Sequence, residues 1–374
     1  MMRIGIEVQR LFRKKKHGME VVALELIREM QQLDKKNEYV VFVKDDEDDN
    51  CISETGNWKI KKLPGKTYFD WEQFSLPRAI RNEGLNFLHS TCNTSALNIK
   101  VPLLLTLHDI IYLEKIDFKG TAYQNFGNIY RRFLVPKVVE KSKYIITVSH
   151  FEKNVISEKL KIPEDKIKVV YNAVNRKFNN DYSKDSIESA REKYKLPDSF
   201  ILFLGNTAPK KNTKNVITAF TQYCQSVGNP VPLVMLDYDQ QLVVQQLAQL
   251  KQEALLKHFV FSGFITSDEM PLVYNAATIF LYPSLRESFG LPILEAMACG
   301  TPVITSNTSS MPEVGADAAI YVDPFSVDDI TKKIEDLFSD TELYNKLVDK
   351  GLQRAAAFSW RQSASDLVRI YDMM

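Results

Sequence analysis

Short apolar runs bounded by turn residues alternate with longer stretches of helical apolar spacing along this chain, and the alternation runs through twice. In the first half, Arg3–Val8, Tyr39–Val43, Phe87–Ser90, Leu103–Leu107, Tyr144–Ser149 and Ile167–Tyr171 read as strands. Helices are expected over Met19–Gln31, Trp71–Arg81, Tyr123–Val139 and Phe151–Lys159. The polar stretch 172–186 has no apolar period and reads as a linker. The pattern then restarts, with strands at Phe200–Leu204, Leu233–Leu236, Val260–Phe261, Ile279–Tyr282 and Pro302–Thr305, and helices at Asn212–Cys224, Gln240–Leu256, Ser267–Ala276 and Pro292–Cys299. Strand–helix–strand order in which most strands are apolar throughout predicts parallel sheets covered on both faces, the doubly wound α/β class. We therefore expect two such domains, 1–175 and 176–356, with 357–374 forming a last helix that returns to the first domain.

A length of 374 residues accommodates two cores, and a formal charge of +1 argues against binding nucleic acid through bulk charge. Cations are concentrated in the first half. Residues 2–8 read as a strand rather than a leader, and no apolar run reaches the length of a membrane span. A cytoplasmic protein, or one peripheral to a membrane, is expected. Cys51, Cys92, Cys224 and Cys299 have neither pairing nor metal spacing, which fits a reducing compartment.

Two stretches suggest chemistry. In "RESFGLPILEAMACGTPVITS" a loop feeds a short helix, and Glu287 and Glu295 stand in the loop and one turn into the helix. The start of such a helix favours an anion. Carboxylates there can serve as acceptors for sugar hydroxyls, or Glu295 can complement the helix dipole while Glu287 stays solvated; spacing leaves both open. In "ILFLGNTAPKKNTKNVITAF" a buried strand ends at Gly205, and Lys210, Lys211 and Lys214 crowd the next helix start, the wrong end for stability and a suitable one for a diphosphate.

These two stretches, with "FSGFIT", "MPEVGADAAIYVDP" and the terminal "FSW", resemble the retaining GT-B glycosyltransferases of family 4, which have two Rossmann-like domains with a cleft between them. The likeness is dense in the second half and looser in the first, through "MRIGIEV", "TLHDIIYL" and "ITVSHFEKN". "HDIIYL" and the Pro-Lys-Lys-Asn loop are similar to bacterial mannosyltransferases of surface polysaccharide synthesis. The resemblance implies transfer of a hexose, mannose from GDP-mannose above others, from a nucleotide-sugar to a saccharide or lipid-linked saccharide, with no cofactor and no metal. It further implies that Glu287 contacts the transferred sugar, that His108 approaches it from the other domain, and that Glu295 holds the ribose. Lys211 and amides near Phe289, Gly290 and Leu291 would neutralise the diphosphate. Lys210, Asn206, Gly18 and Ile265 complete the implied donor site. Asn206 stands where many members have a phosphate-binding arginine, and Ser288, Ala173 and Asp237 replace glycines. These departures keep a non-catalytic nucleotide-sugar binder as the alternative.

Read by residue type alone, His108-Asp109 is better explained by a packed histidine and a turn cap, and Gly18 by an ordinary helix start. Asp45–Asp49 contains an Asp-x-Asp spacing that suits a divalent ion, but a solvated loop explains it better. Arg10–Lys16 with Leu11 and Phe12, and Tyr130–Leu134, mix cations with apolar residues that suit anionic lipid or a lipid-linked acceptor, but a solvated face explains either cluster better by itself. A dinucleotide-dependent oxidoreductase is disfavoured because no Gly-x-Gly-x-x-Gly follows the first strand, and a glycosidase would not need the lysine loop.

Overall fold

The computed structural model describes residues 1–114, 122–205 and 207–374. The chain divides into two compact units, one formed by 1–172 with 359–374 and the other by 173–358.

The first unit is built on seven parallel strands: β1 (Arg3–Glu7), β2 (Glu38–Lys44), β3 (Trp58–Leu63), β4 (Phe87–Ser90), β5 (Leu103–Thr106), β6 (Tyr144–Thr147) and β7 (Ile167–Val169), in the order β3-β2-β1-β4-β5-β6-β7. The direction of winding reverses between β1 and β4, which pair in parallel with Ile4 beside Phe87. β3 escapes the apolar-run criterion because its sequence, WKIKKL, carries three lysines, as an edge strand tolerates. The second unit has six parallel strands, β8 (Ile201–Phe203), β9 (Leu233–Met235), β10 (Phe259–Phe261), β11 (Ile279–Tyr282), β12 (Val303–Ser306) and β13 (Ile320–Val322). Their order is β10-β9-β8-β11-β12-β13, and the reversal falls between β8 and β11, where Ile201 pairs with Ile279.

Residues 359–374 close the first unit. Ala364, Leu367, Ile370 and Tyr371 of the Trp360–Tyr371 helix lie in one apolar cluster with Ile4, Ile6, Ile27 and Phe87. The Tyr371 hydroxyl meets His89 Nδ1 at 2.8 Å, and Ser363 Oγ donates to the Tyr171 carbonyl at 2.6 Å. Both polar groups thus find partners where they are buried.

The helix expected over Trp71–Arg81 is instead three pieces. Tyr68–Asp70 is capped by Thr67, Trp71–Ser75 widens into a π-type turn closed by Leu76 N–H to the Trp71 carbonyl, and Leu76–Ile80 follows. Such turns insert one extra residue, and here the widened segment holds Glu72 wholly inside the unit.

Candidate functional site

At a reversal of winding, the loops leaving two adjacent strands turn to opposite faces of the sheet and open a crevice at its carboxyl edge. In the second unit those loops follow β8 and β11, and they carry the lysines and Glu287. Lys210 and Lys211 lie in the short 3₁₀ turn Pro209–Lys211, ahead of the Thr213–Ser226 helix. Asn212 between them adopts φ +60°, and its amide donates to the carbonyls of Pro283 at 3.1 Å and Pro324 at 2.6 Å, tying three loops together. Leu285 N–H donates to the Lys210 carbonyl at 2.7 Å, which fixes the β11 loop against the lysine turn.

Lys211 Nζ lies 2.8 Å from Glu287 Oε1 and 2.7 Å from the Tyr282 hydroxyl, and Lys210 Nζ lies 3.6 Å from Glu287 Oε2. The Glu287 carboxylate is 9% exposed. Burial would raise its pKa, but Lys211 and Lys210 outweigh it, and the group is held below the usual carboxylate range. Glu287 is therefore ionised. A lysine ammonium has three donors; the hydroxyl and the carboxylate use two of those of Lys211. The backbone of Glu287 is fixed as firmly: its carbonyl accepts from Ser309 Oγ at 2.6 Å, Ser310 Oγ at 2.9 Å and Arg286 at 3.0 Å. Its N–H donates to Ser309 Oγ at 3.1 Å.

The loop then runs into the Leu291–Ala298 helix through Gly290, whose φ of +102° a side chain would strain. Pro292 has no N–H and Ile293 N–H returns to the Gly290 carbonyl at 3.0 Å, so the amides of Gly290 and Leu291 are those this helix start presents to an anion. Phe289 is 3% exposed with its ring against Phe358, so only its backbone is positioned to contribute. Glu295, half-buried on the helix, accepts from the Tyr274 hydroxyl at 3.3 Å, and burial pushes its pKa up to about 7. Ile265 is buried just past the end of β10, after Gly263 at φ +68°. Asn206 lies outside the described residues. Lys214 is exposed one residue inside the helix, apart from the pairing that engages Lys210 and Lys211.

The corresponding edge of the first unit has a different character. His108, just past β5, is buried, receives its own backbone fixing from Asn93 Oδ1 at 2.7 Å, and sets Nε2 3.0 Å from the Thr91 carbonyl. A carbonyl only accepts, so Nε2 bears the proton and Nδ1 a lone pair; burial lowers the pKa and keeps the ring neutral. Glu7 ends β1 and is 1% exposed; burial and the Glu72 charge push its pKa up to about 8. Glu72 accepts from Thr94, Gln73 and the Tyr130 hydroxyl. Gly18 opens the Gly18–Leu33 helix exposed, and a Cβ there would meet nothing within 4 Å, so no packing contact demands a glycine.

One sequence expectation needs correction here. Leu11 and Phe12 are 0% and 1% exposed, packed in the core, so the Arg10–Lys16 segment has no apolar residues to offer a membrane. Its lysines face the acidic run instead: Lys14 pairs with Glu47 and Lys16 with Asp48, while Lys62 holds Asp45 and Asp49. Among the described residues no cluster of side chains has metal-ligand geometry, and no helix is long and apolar enough to cross a membrane.

The family model for glycosyl transferases group 1 matches residues 186–354, and that for glycosyltransferase family 4 matches residues 17–178. The chain belongs to glycosyltransferase family 4. The serotype-specific mannosyltransferase WbdA of Escherichia coli is 32% identical over 279 residues, which is 73% of this chain and 34% of that protein. The O-antigen chain mannosyltransferase B of Escherichia coli is 30% identical over 243 residues, 63% of this chain and 62% of that one. The chain thus spans about a third of the length of the WbdA proteins it matches. Among solved structures, sucrose-phosphate synthase from Thermosynechococcus elongatus superposes with a TM-score of 0.74 at 17% identity, covering 100% of this chain and 99% of that one. WaaG, a glycosyltransferase involved in lipopolysaccharide biosynthesis, gives 0.70 at 12% identity over 98% and 99%. The fold of this family 4 member is GT-B, as the alternation and the motifs predicted.

Sequence reasoning missed Tyr282, Ser309 and Ser310 in the second unit's site. Tyr282 reads as the last apolar residue of a strand, and only its hydroxyl, aimed at Lys211, shows otherwise. The adjacent serines before a short helix were a visible signal, but for capping rather than for holding Glu287.

Proposed function

We propose that this family 4 member transfers a hexose, with retention of configuration, from a nucleotide-sugar to a hydroxyl of a saccharide or lipid-linked saccharide, and that the donor is GDP-mannose. The observation that carries the reading is the ionised Glu287 held between Lys210 and Lys211 at a winding reversal, beside a helix start. The choice of mannose follows the names of the two Escherichia coli relatives. A third solved structure, Anabaena HepE in complex with UDP and glucose, is 17% identical, so it supports the fold and leaves the base to experiment.

In this reading the free donor of Lys211, Lys210 and the amides of Gly290 and Leu291 take the diphosphate. The C1–O bond breaks with its electron pair going to the diphosphate, and the acceptor oxygen bonds to C1 as its proton passes to the departing group. Preorganised cations at the developing charge supply the stabilisation. Glu287, ionised and fixed, accepts from hydroxyls of the sugar; Glu295 accepts from the ribose; His108 offers Nδ1 to the sugar; Ile265 borders the base. Lysines provide the counter-charge, so turnover is expected to survive EDTA.

The test is release of nucleotide from GDP-mannose, UDP-glucose and UDP-galactose, with and without a mannose-containing oligosaccharide. Acceptor-dependent release of GDP with an α-linked product supports the proposal. Binding of GDP-mannose without turnover, or turnover with uridine donors alone, overturns it.

A further inference from the structure

Apart from Met1 and Met373, the large exposed apolar side chains described in the first unit are gathered on two neighbouring segments. On the Ala122–Lys141 helix, Phe126, Ile129 and Phe133 are 62%, 54% and 61% exposed, and their spacing of three and four puts them in one stripe. Beside that helix, the segment broken by the π-type turn presents Phe69 and Phe74, 43% and 64% exposed, ring to ring at 5.8 Å. Phe69 also meets Tyr130 edge-on at 5.8 Å, which joins the two elements. Between them runs a groove of about 490 Å³, lined by Phe69, Phe74, Leu97 and Phe133, with Arg78 and Arg81 at its edge.

Cations outnumber anions around this surface. Arg78 and Arg81 are exposed, and no ion pair among the described residues engages either. Lys137 sits with Nζ 3.6 Å above the Phe133 ring, its ammonium left at the surface. Of the nearby carboxyls, Glu72 is buried under Tyr130 and Gln73, while Asp70 stays at the surface and engages the Thr67 and Lys66 amides. Exposed aromatics flanked by long cationic side chains, which lay their stems along apolar surface and keep their charges in water, suit the boundary between lipid headgroups and acyl chains. A second copy of this chain is a poorer occupant, because a two-fold pairing would set this cationic rim against itself.

We infer that the surface formed by Phe69, Phe74, Phe126, Ile129 and Phe133, with Arg78, Arg81 and Lys137, docks the first unit on an anionic lipid bilayer. This differs from the surface that the sequence indicated: of the apolar residues named there, Leu11, Phe12 and Leu134 are buried and only Phe133 takes part. The inference stands apart from donor chemistry and holds whichever sugar is transferred.

The experiment is co-sedimentation of the full chain with phosphatidylcholine vesicles, with and without phosphatidylglycerol, across a salt series. Binding is expected to be at least about tenfold tighter on the anionic vesicles and to weaken as salt shortens the Debye length toward about 8 Å at physiological strength. Phe74→Ser with Phe133→Ser, and separately Arg78→Glu with Arg81→Glu, should each remove most of it while melting temperatures stay unchanged, these side chains being exposed. Lys14→Glu with Lys15→Glu, exposed cations elsewhere on the unit, should have little effect. A tryptophan placed by Phe133→Trp should shift its emission to shorter wavelength on anionic vesicles only. Absence of binding at low salt, equal binding to both vesicles, or retention by both variant pairs would overturn the inference. So would a dimer in solution that the Phe74→Ser, Phe133→Ser pair dissolves.

Discussion

The carboxyl edges of the two sheets occupy equivalent places in two domains of the same topology, yet they handle charge in opposite ways. In the second unit, Glu287 is buried but stays ionised because two lysines face it. In the first, no ion pair among the described residues engages the buried Glu7 or Glu72, and burial raises both pKa values. Topology provides a crevice; side chains decide whether it holds full charges, ready for a charged ligand, or, as at Glu7, a carboxyl that burial holds neutral at pH 7, ready for a neutral one. A nucleotide diphosphate fits the first description and a sugar hydroxyl the second.

The largest effect that would break this contrast is at Glu287. On the proposed reading, Glu287→Ala should lower turnover by about 10³-fold or more, since it removes the fixed charge assigned to the reacting sugar. GDP should bind no more weakly, because the substitution frees the lysines from their internal partner. Loss of GDP affinity in calorimetry would mean that the residue serves the nucleotide. Lys211→Ala comes next: GDP affinity should fall about 100-fold, roughly 2.7 kcal/mol, and guanosine affinity should barely change. Equal losses for both would show that the lysine does not act on phosphate.

Tyr282→Phe sharpens the comparison further, as it keeps the ring under Lys211 and deletes only the hydroxyl. We expect kcat to drop about tenfold with little change in the donor KM, the pattern of a group that positions others. A change confined to KM would place Tyr282 in ground-state binding instead.

The smallest effect concerns the neutral edge. Glu7 has a folded pKa of about 8, above its unfolded value near 4.5, so its ionisation opposes folding. The penalty is absent below the unfolded pKa, grows as pH rises toward 8, and is constant above. Glu7→Gln keeps an acceptor for the Gln9 N–H, which lies 3.1 Å from Oε1, and removes the titration. The variant should therefore match the parent near pH 5 and melt a few degrees higher near pH 9. Equal melting temperatures at both pH values would show that Glu7 is solvated.

What could be read in advance divides along the same line. Both sheets followed from apolar runs, because central parallel strands are covered on both faces and admit few polar residues. The edge strands β3 and β13 were missed, since an edge relaxes that demand. Lys210, Lys211 and Glu287 were visible as charges in places where local stability does not call for them. Their mutual pairing was not, because it joins residues 76 apart through loop geometry that Asn212 and the two serines set. The Trp71–Arg81 segment has good helical spacing, which does not reveal that its backbone widens or that Glu72 is buried against donors from other segments. The Leu11–Phe12 pair misled for the converse reason: a basic neighbourhood says nothing about which way an apolar side chain turns.

The placement of residues 359–374 has a consequence for how the protein is made. Tyr371, Leu367 and Ile370 belong to the same apolar cluster as Ile4 and Ile6, so the first unit lacks part of its core until the ribosome has also produced the 186 residues 173–358 that intervene. At translation speeds of about 5–20 residues per second, that leaves an interval of roughly 10–40 s in which His89 and Phe87 wait without their tyrosine. During it the second unit, whose residues are contiguous, can complete its sheet first. The carboxyl-terminal unit can thereby close before the amino-terminal one, the reverse of the usual order, and a released fragment ending at Phe358 should be open to protease in its first half while its second half resists.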